Sequence, residues 1–214
     1  MPIQSVFPTP VYTSQADPQM YEIIQDELWE VVDQLEFGQN DGWATDTHSL
    51  SQGAFEGNVL REYGCNNFLM FLHNCINDYL TGLGCQQERS YTMTQSWFTR
   101  TGRGKYAPIH NHGSTDVSGV YYLNTSGKDG NLIFRSPHEP YICNFIYDVI
   151  TADQELPLKQ GLIALFPGLM YHGTRVNETD NDRISLSFNI RFTRLSETWQ
   201  EMYGSSLENT PPPL

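Results

Sequence analysis

Histidine spacing is the first sign of chemistry in this chain. Of six histidines, two stand two residues apart in YAPIHNHGST, at His110 and His112. Alternate residues of an extended strand project to the same side, so His-x-His aims two imidazoles at one point. The third candidate, His172 in FPGLMYHGT, comes about sixty residues later, behind the apolar run Leu162–Phe166 and a Pro-Gly turn. Two ligands on one strand and a third from a distant strand is how a barrel builds an open, facial metal site. His-x-His alone is a weak sign, and its surroundings must carry the rest. His48, His73 and His138 read as surface or hydrogen-bonded core residues.

An anion site is the second sign. In Arg183-Ile-Ser-Leu-Ser-Phe-Asn-Ile, a period of two puts Ile184, Leu186, Phe188 and Ile190 on one face and Arg183, Ser185, Ser187 and Asn189 on the other. The apolar face suits packing against helices, and the polar face suits a pocket. An arginine pointing into a barrel is costly unless an anion meets it. Its planar guanidinium grips a carboxylate bidentately, and the hydroxyl of Ser185 can add a hydrogen bond. An arginine on the rim, facing solvent, is the other reading of the same pattern.

These residues need a scaffold. Asp17-Pro18 opens a first helix with an acid at the N-cap and proline at the first helical position. Ile24, Leu28, Val31, Val32 and Leu35 form its apolar stripe, and Gly38 reads as its stop. Gln39 to about Gly57 reads as a loop. Phe68, Phe71, Leu72, Cys75, Ile76, Tyr79 and Leu80 repeat at three and four and mark a second helix ended by Gly82 and Gly84. From about Met93 the period becomes two, with strands expected at Met93–Arg100, Ser118–Leu123, Asn131–Phe134, Phe145–Thr151, Gly161–Phe166 and Ile184–Phe192. The expectation is a mainly β jelly roll with two helices against its sheet. It forms one domain over 1–204, with helical support at about 17–84, a β core at about 93–192, and an unstructured tail at 205–214 carrying three consecutive prolines.

Composition agrees. The 214 residues suffice for one domain with a sizeable core, and 17 Gly with 12 Pro suit many tight turns. A net charge of −13 without any basic run argues against a nucleic-acid surface. The N-terminus lacks the pattern of a signal peptide, and no stretch is long and apolar enough to span a membrane. Cys65, Cys75, Cys85 and Cys143 form no CxxC pair and read as reduced thiols of a cytoplasmic protein. Exposed edges of a jelly-roll sheet are available for pairing into a homodimer.

Several motifs together now resemble known families. Gly104 with His110, and Gly161 with Pro167 and His172, resemble the two motifs of the cupins, with Asp116 where many cupins carry glutamate. The fuller set resembles the 2-oxoglutarate- and iron(II)-dependent oxygenases, most closely a group found in bacteria and in phages of marine bacteria. The segments that carry this are FPTPVY at Phe7–Tyr12, Trp97, His110-Asn111-His112, SGVYYL at Ser118–Leu123, Gly130–Phe134, Phe166–His172 and RISLSFN at Arg183–Asn189.

The resemblance implies a double-stranded β-helix holding Fe(II), with 2-oxoglutarate as cosubstrate. His110 and His172 would be two of the metal ligands. Arg183, with Ser185 and Tyr122, would hold the far carboxylate of 2-oxoglutarate, and Leu132 would line its pocket. Dioxygen and a small-molecule or peptide substrate would complete the reaction, which hydroxylates a C–H bond and releases succinate and carbon dioxide. Most of the superfamily places Asp or Glu two residues after the first histidine. This chain has His112 there, and Asp116 is the alternative carboxylate. Two other readings stand beside this one: a cupin-type, three-histidine dioxygenase that does not use 2-oxoglutarate, and a non-catalytic jelly-roll binding module.

Overall fold

The computed structural model describes residues 8–39, 45–48, 57–85, 89–113, 115–136 and 153–193. The expected strand Phe145–Thr151, the Phe7 end of the opening segment, His138, Cys143 and the 205–214 tail lie outside those residues. Strand β1 (Tyr12–Gln15) leads into helix α1 (Pro18–Val32). Asp17 caps α1 as its sequence predicts, accepting hydrogen bonds from the backbone N–H groups of Gln19 and Met20 at 3.0 Å each. Strands β2 (Phe37–Gln39) and β3 (Asp46–His48), helices α2 (Val59–Glu62) and α3 (Asn66–Gly82), and strand β4 (Tyr91–Thr101) follow. The remainder is β5 (Val117–Asn124), β6 (Leu132–Phe134), β7 (Gln154–Leu156), β8 (Leu162–Pro167), β9 (His172–Thr174) and β10 (Arg183–Phe192).

Among the described residues, the strands make a seven-stranded sheet in the order β1-β8-β5-β10-β4-β3-β2 and a three-stranded sheet in the order β7-β6-β9. All named pairings are antiparallel. From β4 onward the chain passes back and forth between the sheets, which is the double-stranded β-helix that the alternating pattern predicts. Each strand of the large sheet thereby feeds two layers. Ile184, Leu186, Phe188 and Ile190 of β10 join a core with Ile24, Leu28, Phe68, Leu72 and Ile76 of α1 and α3. Val120, Tyr122, Leu132, Phe134, Ala164 and Phe166 form a second core between the sheets. Gly119 of β5 lies where a Cβ would come within 2.2 Å of the Phe188 ring. Only glycine lets the Phe188 ring of β10 lie against β5 at this point.

Three expectations need correction. The helical layer has a third member, α2, whose four residues are too few to show a period. Helix α1 ends at Val32 with Asp33 as C-cap, and Gly38 lies inside β2. The segment Gln39–Gly57 contains β3, because Asp46 and Thr47 pair with Arg100 and Thr99 of β4. The Asp46 carboxylate holds Lys105 Nζ at 2.6 Å. Long-range pairing creates that strand, and three residues carry no local signal of it. Among the described residues, no helix is long and apolar enough to cross a membrane.

Candidate metal centre

The His110–His112 segment is not a regular strand. His110 makes one isolated bridge to His172, with reciprocal backbone bonds of 2.9 Å (His110 N–H to the His172 carbonyl) and 2.8 Å (the reverse). It thus continues the small sheet past β9. Beyond it, Thr174 N–H donates to the Ala107 carbonyl at 2.9 Å, while Pro108 has no backbone N–H to complete a regular ladder, and on the other side Gly113 turns the chain with φ +57°. His112 instead donates its backbone N–H to the Gly168 carbonyl at 2.8 Å.

The imidazoles of His110, His112 and His172 converge. One ring nitrogen from each lies within 4.8 Å of the others. The opposite nitrogens are all tied down. His110 Nδ1 meets the Pro108 carbonyl at 2.7 Å, and His172 Nδ1 meets the Met170 carbonyl at 2.8 Å. His112 Nδ1 meets Asn189 Oδ1 at 2.5 Å. That oxygen also accepts from Ser118 Oγ at 3.0 Å, while Asn189 Nδ2 donates to Gln95 Oε1 at 3.0 Å, which orients the amide. A carbonyl oxygen only accepts, so each Nδ1 carries the proton and each Nε2 offers a lone pair.

Two of those lone pairs, on His110 and His112, face each other at 3.0 Å. Only a proton or a cation relieves that opposition. Burial holds the proton off: it lowers the pKa of His110, takes His112 to about 4 and takes His172 to about 3, where the neighbouring histidines add to the effect of burial. Neutral imidazoles with directed Nε2 atoms are what a metal requires. Two ligand nitrogens at right angles on ~2.1 Å bonds would stand roughly 3 Å apart, so the donor set fits a metal face. Trp97 stacks obliquely on His112 with ring centres 5.7 Å apart, and Phe166 sets its edge on His172 at 4.6 Å. Both pack against the imidazoles and keep the rings in place.

Asp116 is turned elsewhere. Its Oδ2 accepts the backbone N–H of Phe192 at 2.8 Å, beside a different surface cleft, and it is not among the metal-competent group.

Arg183 is the buried cation of the same cavity, 1% exposed. Its Nη1 donates to the carbonyls of Asp129 at 2.5 Å and Gly130 at 2.6 Å, and its Nη2 donates to Thr174 Oγ1 at 2.9 Å. The direct acceptors are neutral. The nearest carboxylate, Asp129, is committed to Thr125 Oγ1, Ser126 N, Ser126 Oγ and Asn181 Nδ2. Burial pulls the Arg183 pKa down, and Tyr122 and Asp129 push back. Burial likewise raises the Tyr122 phenol, against the attraction of Arg183. The guanidinium therefore remains a cation inside a cavity whose lining brings together Arg183, Ser185, Tyr122, Leu132 and the three histidines. That cavity has a volume of about 70 Å³, room for about five waters at ~10–15 Å³ each, or for one small polar molecule.

All seven residues singled out from sequence thus meet at one cavity. Sequence reading missed the Asn189 contact to His112, although it placed Asn189 on the correct face of its strand. It also missed Asp129 and Thr174 as the supports of Arg183. Asp129 sits in a Gly-Lys-Asp-Gly turn, where an acid looks like ordinary turn chemistry.

Residues 95–189 match the model of a protein family described as "Putative 2OG-Fe(II) oxygenase". Comparison with curated proteins returns no match. Several solved structures share the fold. An oxidoreductase of the 2OG-Fe(II) oxygenase family from Burkholderia pseudomallei is 11% identical, with TM-score 0.58, covering 84% of this chain and 83% of that one. A Pseudomonas putida prolyl-4-hydroxylase is 14% identical, with TM-score 0.55 and coverage of 86% and 92%. HygX from Streptomyces hygroscopicus, solved with nickel, 2-oxoglutarate and hygromycin B, is 14% identical, with TM-score 0.53 and coverage of 88% and 85%.

Proposed function

We propose that this chain, whose residues 95–189 match the model of the 2OG-Fe(II) oxygenases, is an oxygenase that hydroxylates a C–H bond of a small-molecule substrate. His110, His112 and His172 hold Fe(II) through their Nε2 atoms. Arg183 grips the far carboxylate of 2-oxoglutarate, Ser185 and Tyr122 lie within the same pocket to assist, and Leu132 walls it. Bound there, iron with 2-oxoglutarate supplies oxygen activation, with succinate and carbon dioxide as the products of the cosubstrate. The protein's own part is positioning: Asn189 and two backbone carbonyls aim the imidazoles, Trp97 and Phe166 pack against the rings, and Arg183 sets the cosubstrate's orientation. No side chain has to act as a general acid or base. The chain works in the cytoplasm, with dioxygen and an uncharged or basic substrate as its partners.

The observation that carries this reading is one cavity in which a buried guanidinium, bonded to neutral oxygens, faces three converged imidazole lone pairs. A cation buried there calls for an anion, and a metal-chelating keto acid satisfies both ends at once. The all-imidazole donor set favours a second reading, a three-histidine dioxygenase that does not use 2-oxoglutarate. Anaerobic titration of 2-oxoglutarate into Fe(II)-loaded protein separates them. A weak visible charge-transfer band, present in wild type and absent in His172→Ala, is the expected result. Iron binding without the band hands the site to the second reading, and absence of iron binding removes the enzyme.

A further inference from the structure

Thr174 lies between the two halves of the proposed site. It stands two residues after His172 on β9, lines the cavity and is half-buried. Its Oγ1 accepts two hydrogen bonds at 2.9 Å each, one from Arg183 Nη2 and one from the backbone N–H of Ala107. A hydroxyl oxygen has two lone pairs, so both are taken, and by different parts of the cavity wall. Arg183 belongs to the end proposed for the cosubstrate. Ala107 begins the segment that ends in His110.

That segment is held on β9 at both ends. At the His110 end, the hold is the reciprocal pair of backbone bonds with His172. At the other end, the Ala107 carbonyl accepts the Thr174 N–H at 2.9 Å, and the Ala107 N–H returns to the Thr174 hydroxyl instead of to a backbone carbonyl. Between them Gly173 lies so close that a Cβ there would come within 2.7 Å of the Ala107 carbonyl oxygen and 3.0 Å of the Pro108 one. The Pro108 carbonyl in turn fixes His110 through Nδ1 at 2.7 Å. A side-chain oxygen therefore anchors one end of a piece of chain whose other end aims an imidazole.

On the Arg183 side, the other two hydrogen bonds, to the Asp129 and Gly130 carbonyls, both leave from Nη1. Thr174 is the one side-chain acceptor of the guanidinium among the described residues. Without it the remaining bonds meet at a single nitrogen, and the guanidinium plane can swing about that point. A bidentate grip on a carboxylate depends on that plane.

We propose that Thr174 is a positioning residue for both halves of the site: its one hydroxyl oxygen sets the plane of Arg183 toward 2-oxoglutarate and steadies the Ala107–His110 segment toward the metal. This rests on the oxygenase reading above. Thr174 acts here through Arg183 and Ala107 and needs no contact of its own with metal or cosubstrate.

The test uses Thr174→Val, which keeps the shape and suits a strand but removes the acceptor, and Thr174→Ser, which restores it. Thr174→Ala replaces the valine variant if that does not fold. Fe(II) affinity is measured without cosubstrate, by competition with a coloured chelator. Keto-acid affinity is measured anaerobically at saturating Fe(II) from the charge-transfer band. The keto acids are 2-oxoglutarate and pyruvate, which has the same chelating head and no far carboxylate. With Thr174→Val, binding of Fe(II) and of 2-oxoglutarate should each weaken about 3- to 10-fold, the worth of one hydrogen bond, while pyruvate moves less than about twofold. Serine offers the same lone pairs, so Thr174→Ser should stay within about twofold of wild type throughout. The Ala107 amide should lose protection from deuterium exchange in the valine variant and keep it in the serine one. A threonine that serves only the fold lowers the melting temperature and leaves both affinities of the folded variant unchanged, and that result overturns the proposal. So does a loss confined to one of the two affinities, or a loss for pyruvate equal to that for 2-oxoglutarate. A wild type that binds Fe(II) and gives no band with 2-oxoglutarate brings down the oxygenase reading itself. One that gives the band, with Thr174→Val like wild type, brings down only this inference.

Discussion

At the scale of single residues, the site is a set of charges and lone pairs that the protein alone leaves incomplete. Arg183 donates only to neutral oxygens, so its strongest partner must be an anion from outside. Replacing it with methionine keeps the volume and removes the fork. The expected result is an increase in the KM for 2-oxoglutarate of roughly 30- to 150-fold, from the loss of about 2–3 kcal/mol of charge-assisted bonding. Iron binding should persist, and a steady-state titration of succinate formation checks the first effect. Asn189 orients His112, one of the proposed metal ligands. Asn189→Ala is expected to weaken Fe(II) binding by about 10- to 100-fold, measured by competition with a coloured chelator, while Asn189→Asp retains most of it. The three converging histidines were legible because His-x-His and a distant third histidine form a recognisable pattern. Asn189 was legible as a face and not as a contact, since period two says where a side chain points and not what it touches.

Among the elements, β10 serves two environments at once. Its even residues complete the core under α1 and α3, and its odd residues floor the cavity. Helices stabilise this arrangement by covering the apolar face. Leu28 of α1 is fully buried, and Leu28→Ala should cost about 2–5 kcal/mol in a denaturant melt. Gly119→Ala probes the packing of the Phe188 ring against β5. Its Cβ would meet the Phe188 ring at 2.2 Å and Leu165 Cδ2 at 2.8 Å, so an overpacking loss of about 1–3 kcal/mol is expected. The long amphipathic elements α1, α3, β4, β5 and β10 could be read from periodicity because each has enough residues to show it. The short pieces β2, β3, β7 and α2 could not, since three or four residues bear no period and tertiary pairing alone makes them regular.

For the whole molecule, acid should act through the buried histidines. Burial keeps His112 and His172 neutral in the native protein, with pKa values of about 4 and about 3. The unfolded chain takes up those protons near the ordinary histidine value of ~6.5. Below that value the unfolded state binds more protons, so stability falls as pH decreases from about 6.5 toward 4, and is fully present above it. Melting temperatures of metal-free protein across pH 7 to 4 should show this slope, and the slope should be shallower in a His112→Ala, His172→Ala double variant. The hydrogen bonds that lower the Asp129 pKa against its burial add a further loss once that carboxylate protonates at lower pH. Jelly-roll architecture was legible at this scale from the run of strands after the helices. The division of the described strands between a large and a small sheet was not, because it depends on which strands meet across the chain.

The bridge between His110 and His172 has a kinetic consequence. Each of these residues donates its amide to the carbonyl of the other, so two proposed ligands are joined through their main chains before any metal arrives. Neither amide can exchange with deuterium unless the pair parts, and a single opening frees both. The two exchange rates should therefore be nearly equal and should slow together when Fe(II) is added. The clasp would then serve as a built-in clock for metal occupancy.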